Sequence, residues 1–195
     1  MALYKNKYRV ETIRLKNWDY SNDGYYFITV CTKNKIPIFG FIKNGEMILN
    51  KNGQIIKEIW EELPKHYNNI KLHEIVIMPD HIHGIIEIQN KNVETPLKGV
   101  SKNCIIKLLQ PVSSKKKKYS LSEIIRGFKT FSARKINELE QKVGRTIWQE
   151  RFYDHIIRNE KEYEYISEYI KNNPIKEHLG NEDYLMIKEM EKKSK

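Results

Sequence analysis

Hydrophobic positions along this chain change period several times, and each change marks an element. Residues 25–32, YYFITVCT, are β-branched and aromatic almost throughout, the composition of a strand covered on at least one face. Residues 35–50 hold two short runs, IPIFGFI and EMILN, split by Asn44-Gly45, a dipeptide suited to a tight hairpin turn. From 51 to 67, Ile55, Ile56, Ile59, Trp60 and Leu63 recur at helical spacing, with Pro64 near the end. Residues 72–89, LHEIVIMPDHIHGIIEIQ, return to strand character, as two apolar runs, 73–78 and 82–88, joined by a Pro-Asp turn. Residues 120–139 read as a second helix. Ser120 or Ser122 caps it, Glu123 lies in its first turn, and Leu121, Ile124, Ile125, Phe128, Phe131 and Ile136 form its stripe. Residues 148–158 are mixed, with a strand over 155–157. A third helix, rich in Tyr and Ile, spans 161–171, and Pro174 is expected to close it, because a residue before proline is pushed out of the helical region.

The main elements thus run strand, helix, strand, strand, helix, strand, helix. The first six spell βαββαβ, an α+β, ferredoxin-like antiparallel sheet with two helices on one face. The last helix is left free to dock beside a central strand. The chain is expected to be one domain over 1–195. Within it, 1–24 form a basic N-terminal arm, 90–119 a Lys-rich flexible insertion, and 182–195 a charged, frayed tail.

Composition narrows the function. With 39% hydrophobic and 31% charged residues, no run approaches the roughly 20 apolar residues of a membrane span, and the N-terminus lacks the apolar centre of a secretory signal. Cys31 and Cys104 stand far apart without metal-ligand spacing, as in a reduced, cytoplasmic protein. A net charge of +10 and a pI near 9.4 favour a polyanionic partner, nucleic acid first. The same charge also fits the Lys-, Asn- and Ile-rich usage of an AT-rich genome. The lysine run at 115–118 is either a solvated tract or a phosphate contact.

Candidate chemistry begins at His81 and His83. Side chains two apart on a strand project on one face about 6–7 Å apart, so two imidazoles there can converge on a divalent metal. The alternative is a turn residue followed by a half-buried strand residue. The third helix carries Tyr163, Tyr165 and Tyr169, and Tyr169 shares a face with both Tyr165 and Asn173. A tyrosine can attack a phosphodiester, but with an ordinary pKa near 10 it needs a metal or base beside it. Two histidines and the Asn173 amide would suit Mg²⁺ or Mn²⁺, although imidazoles also take zinc. Equally, tyrosines on an amphipathic helix are core residues. In the N-terminal arm, Arg9, Arg14, Lys16, Trp18 and Tyr20 mix cations with rings, a pattern for phosphate contact and base stacking or for a loosely packed arm.

The motif MPDHIHG (78–84) resembles the HUH signature of single-tyrosine transposases. RLKNWDYSNDGYYFITVCTKN (14–34), GFKTFSARKIN (127–137), WQERFYDHIIRNE (148–160) and YISEYIKNNP (165–174) are similar to segments of the REP-associated tyrosine transposases, relatives of the small insertion-sequence transposases. The resemblance implies an HUH nuclease fold with a C-terminal catalytic helix, acting on single-stranded DNA near hairpins as monomer or homodimer. Cleavage would leave a 5′-phosphotyrosine and a free 3′-hydroxyl. Carried over, His81 and His83 are the metal ligands and Tyr169 the nucleophile, ranked above Tyr153 and Tyr165. Asn173 is the polar third ligand, expected at the ragged end of its helix. Asp80 stands where many relatives have Asn, a departure expected to leave the chemistry untouched. DNA contacts are expected from Arg14, Arg126, Lys129, Arg151 and Arg158, because guanidinium forks bind phosphate or guanine in bidentate fashion, while Gln149 is expected to be structural. Two other readings compete. One is a host-adopted DNA-hairpin-binding protein that no longer cuts. The other is an RNA-binding βαββαβ module, which predicts exposed aromatics on the open sheet face.

Overall fold

The run expected at 25–32 is strand β1, Gly24–Cys31. Asn44-Gly45 does turn a hairpin, between β2 (Gly40–Lys43) and β3 (Glu46–Leu49). Both turn residues have positive φ, 53° and 78°, the mirror-image geometry that matches strand twist. Helix α1, Lys51–His66, starts where the Asn50 side chain accepts from the Gly53 N–H, and Pro64 lies within its last turn. The Pro-Asp turn joins β4 (Ile70–Ile77) to β5 (His81–Ile88). Helix α2, Leu121–Leu139, opens on a reciprocal capping box between Ser120 and Glu123, which satisfies two otherwise orphaned N–H groups. Strand β6 is Tyr153–Ile157 and helix α3 is Glu160–Leu179. The computed structural model describes residues 17–90 and 117–179, Leu15, and two paired dipeptides, Leu3–Tyr4 and Lys7–Tyr8, with the side chains of α3 described as far as Ile175. Arg14, the tail from 182 and residues 91–116, most of the expected insertion, lie outside the described residues.

The sheet order is β4-β5-β1-β6, every neighbouring pair antiparallel. This is the ferredoxin-like arrangement expected from the element order. Alternation along each strand separates two cores. Tyr26, Ile28, Val30, Ile82, Ile86 and Ile88 face α1 and α2, with Trp60, Leu63, Ile124 and Phe128 among their partners. Phe27, Ile85 and Ile157 face the other way and meet Ile166, Tyr169 and Ile170 of α3. The sheet is therefore covered on both faces, and its aromatics are not the open platform that an RNA-binding module of this topology requires.

Helix α3 corrects one expectation. Pro174 does not close it; the helix continues to Leu179. A proline in a helix interior costs about 3 kcal/mol, but packing on both sides of it holds the helix. Before the proline, Ile166 and Ile170 are buried on the sheet, each contributing roughly 1.5–3 kcal/mol. After it, Ile175 lies so close to the β2–β3 turn that a Cβ on Gly45 would sit 3.3 Å from Ile175 Cγ1. Asn173 is consequently an interior helix residue, fully buried, and not part of a ragged end.

Gly84, just after the second histidine, faces the α1 side of the sheet. A Cβ there would lie 2.7 Å from Cζ2 of Trp60, whose indole is itself buried edge-on to Phe128. Gly84→Ala is therefore expected to destabilise the fold by about 1–3 kcal/mol, the usual cost of overpacking, measured as a lower urea midpoint at unchanged slope.

Candidate active site

The site forms where the β4–β5 turn meets the end of β1. Met78 N–H donates to the His81 carbonyl at 2.8 Å, Thr32 N–H to the Asp80 carbonyl at 2.8 Å, and the Ile38 and Phe39 N–H groups to the Pro79 carbonyl. This bonding holds the first residue of β5 rigid. Antiparallel register then places Cys31 opposite His81 and Thr29 opposite His83. Both histidines project from the α3 face, as the alternation of the H-x-H motif requires.

Each imidazole is gripped at Nδ1. His81 Nδ1 lies 2.6 Å from Asp80 Oδ1, and His83 Nδ1 lies 2.8 Å from Thr29 Oγ1. Burial pushes the Asp80 carboxyl up, but the His81 bond and charge, with Lys35, outweigh it and hold the group below its ordinary value. An ionised Asp80 makes His81 donate from Nδ1, which leaves Nε2 as a lone pair in the neutral ring. Burial, then the neighbouring His81, holds His83 well below the usual imidazole range, so this ring is neutral at neutral pH. The Thr29 hydroxyl both donates and accepts and therefore permits either tautomer of His83. In one, His83 Nε2–H bridges to His81 Nε2; in the other, both Nε2 lone pairs face outward together.

The two Nε2 atoms are 3.1 Å apart, and the Tyr169 hydroxyl lies 3.3 Å from His83 Nε2. Phe27 stacks on His83 at 5.4 Å and meets Tyr169 edge-on at 6.2 Å, fixing both rings. His83 is 3% exposed and Tyr169 2%. One helical turn on, the fully buried Asn173 amide has no hydrogen-bond partner for either Oδ1 or Nδ2 among the described residues. A buried amide left unpaired is costly, and an oxygen donor waiting on a cation accounts for it. The residues present therefore fit a divalent metal held by two Nε2 atoms and an amide oxygen. Among the described residues no cluster of three or more His, Cys, Asp and Glu side chains suits a metal.

Three comparisons bear on this geometry. The family profile described as "Transposase IS200 like" matches residues 109–173, the stretch through α2, β6 and the part of α3 that bears Tyr169 and Asn173. A protein of Haemophilus influenzae described as uncharacterized is 40% identical over 182 residues, covering 90% of this chain and 92% of that one. The solved structure of a "REP associates tyrosine transposase bound to a REP hairpin" superposes with a TM-score of 0.53 at 18% identity, over 86% of this chain and 74% of that one. The chain belongs to the IS200-like transposase family. Its sheet, with helices on both faces, is the HUH nuclease fold.

Within this transposase fold the three helix tyrosines separate. Tyr169 reaches the His83 imidazole, Tyr165 is 41% exposed, and Tyr163 bonds elsewhere. The Tyr163 hydroxyl lies 2.9 Å from His73 Nδ1 and donates to Glu74 at 3.0 Å, while His73 Nε2 meets Glu87 at 2.8 Å. This second network, unforeseen from the sequence, ties the first turns of α3 to β4 and β5. Tyr153 sits opposite Thr29 on β6 and packs edge-on against Phe27. Two supporting residues were also missed. Thr29 reads in the sequence as one more β-branched strand residue, and only the register reveals it. Asp80, expected to leave the chemistry untouched, directly holds a histidine; a carboxylate next to the first histidine was the available signal.

Of the cations expected on DNA, Arg126, Arg151 and Arg158 are exposed. Lys129 is half-buried and differs from expectation. Its Nζ donates to the carbonyls of Gln149 at 2.7 Å, Glu150 at 3.1 Å and Arg151 at 3.2 Å, all three N–H groups spent on backbone. Burial pulls its pKa down to about 8 against the opposing charges of Cys31 and Glu150, so the ammonium form still prevails at neutral pH. Lys129 thus positions a loop. Gln149 belongs to that loop, its backbone N–H donating to the Cys31 carbonyl. Lys129→Met is expected to leave three carbonyls without a donor and to cost about 1–3 kcal/mol, read by thermal or urea unfolding.

Proposed function

We propose that this transposase is a single-stranded DNA nuclease and strand transferase that cuts beside hairpins through Tyr169. The observation that carries the reading is the 3.3 Å contact between the Tyr169 hydroxyl and His83 Nε2, itself 3.1 Å from His81 Nε2. His81, His83 and Asn173 would hold Mg²⁺ or Mn²⁺, which supplies positive charge to polarise the scissile phosphate and stabilise the leaving oxygen. Asp80 and Thr29 orient the rings, and Phe27 holds the phenol against them. The Tyr169 oxygen bonds to phosphorus as the bond to the 3′-oxygen breaks; the phenol loses its proton and the 3′-oxygen gains one. A 5′-phosphotyrosine and a free 3′-hydroxyl result, and the reverse attack joins strands and restores Tyr169. All of these groups come from one chain, which supports a site complete within a single subunit, whether monomer or homodimer.

A hairpin substrate is supported by the solved relative of the same fold, described as bound to a REP hairpin. Arg126, Arg151 and Arg158 are the exposed guanidinium groups for its phosphates or guanines, and Arg14 is proposed with them. No helix among the described residues is long and apolar enough to cross a membrane.

Incubating the protein with labelled single-stranded hairpin DNA and Mg²⁺ or Mn²⁺ is expected to give a denaturant-resistant protein–DNA adduct. Tyr169→Phe and chelator are each expected to abolish it. An adduct that survives Tyr169→Phe moves the nucleophile elsewhere, and tight binding without an adduct in the wild type leaves a hairpin-binding protein. In a separate thermal-shift titration, saturation at a hundred times the dissociation constant is expected to add about 2.7 kcal/mol of stability. His81→Ala or His83→Ala removes that gain, and Asp80→Ala weakens metal affinity about 10- to 100-fold.

A further inference from the structure

On the sheet face away from α3, a groove of about 420 Å³ opens between α2 and the segment 145–152. Its walls combine the apolar Ile125, Ala133 and Phe152 with the hydroxyl of Thr130, the amide of Gln149 and the guanidinium of Arg126. Three cations line it, Arg126, Lys129 and Arg145, against one carboxylate, Glu150. The Arg145 Nη1 is paired with Glu140 at 2.8 Å, its buried Nε and Nη2 have no partner among the described residues, and the Lys129 ammonium is spent on backbone. The exposed Arg126 is the solvent-facing cation at the mouth of the groove, and Arg145 keeps unpaired N–H groups in its wall.

The groove is coupled to the candidate active site by backbone bonds. Its loop wall donates from Gln149 N–H to the carbonyl of Cys31, the residue opposite His81. Lys33 N–H donates to the Ile147 carbonyl, and Thr32 bridges to Trp148. The groove thus sits at the same end of the sheet as the imidazoles, on its other face. We propose that it is a nucleotide subsite, taking one unpaired nucleotide of the single-stranded DNA whose phosphodiester lies at Tyr169. The base enters between Phe152 and the apolar flank of α2, and its phosphate meets Arg126. A ring wall, polar edges and an exposed guanidinium are the parts that sequence-tolerant single-strand binding uses. A lipid chain or an apolar peptide would leave the Gln149 amide and the Arg126 guanidinium without a partner. This assignment rests on the nuclease reading for its choice of DNA.

The test uses the full chain in EDTA, so that binding is read without cleavage. Fluorescence anisotropy follows a labelled unstructured 12-mer of single-stranded DNA across a salt series. Thr130→Trp, which fills the groove from an exposed position on α2, is expected to weaken binding roughly 5- to 150-fold, the equivalent of losing one stacked base. Arg126→Ala is expected to reduce the slope of log K against log salt by about 0.7, one phosphate on a single strand. Circular dichroism melting checks that each variant folds; should Thr130→Trp fail to fold, the smaller Thr130→Gln, which enters the groove from the same exposed position, decides by its loss of affinity. Wild-type affinity and salt slope in every folded variant overturn the subsite. The nuclease reading is judged separately by the wild-type adduct with Mn²⁺: groove-dependent binding without an adduct overturns the nuclease and keeps the subsite, and an adduct with groove-independent binding does the reverse.

Discussion

The alternation of side chains along β5 is the constraint on which the rest of this structure depends. Ile82, Ile86 and Ile88 are driven into the core beneath α1 and α2, and burying each contributes roughly 1.5–3 kcal/mol. A one-residue slip would turn that entire set outward. The same apolar energy that fixes the register therefore fixes His81 and His83 on the opposite face, with no contribution from the imidazoles themselves. Gly84 lets the Trp60 indole approach the strand closely between the two sets. The site is precise because it rides on a core that would be expensive to shift.

Covering the second face with α3 creates both the site and its chemistry. A buried imidazole cannot easily charge, so His83 stays neutral and able to act as a donor atom toward a cation. Its neighbours divide the work. Asp80 sets the His81 tautomer through a carboxylate, whereas Thr29 holds His83 with a hydroxyl that serves either tautomer. Such outer partners orient ligands and tune their basicity. The Tyr163–His73–Glu87 network supports the same helix nearer its start, so α3 is pinned by polar bonds at one end and by Ile166, Tyr169 and Ile170 along its length. The pinning sets the 3.3 Å distance between the Tyr169 phenol and the His83 imidazole.

Lys129 shows how position overrules residue type. A lysine on the polar face of a basic helix reads as a phosphate contact, and the spacing within α2 gives no reason to think otherwise. Its ammonium instead gathers three carbonyls of a loop that is remote in sequence, so its charge acts on the wall of the groove. Pro174 is the parallel case for backbone. Local sterics argue for a helix end, and tertiary packing on either side outweighs them.

The sequence by itself determined the element order, the two hairpins, the capping of α2 and the shared face of His81 and His83. Each follows from short-range periodicity and turn chemistry, which survive without knowledge of distant partners. Motif resemblance added the histidines, Tyr169 and Asn173 as one set. Only the tertiary structure decided which tyrosine meets the imidazoles, that Thr29 and Asp80 hold them, that Asn173 lies buried in mid-helix with its amide unpaired, and that Lys129 is spent on backbone. Apart from Asp80, which adjoins its histidine, those facts depend on contacts between segments separate in sequence, more than fifty positions apart for Thr29 and His83 and for Tyr169 and His83. No local pattern encodes that proximity.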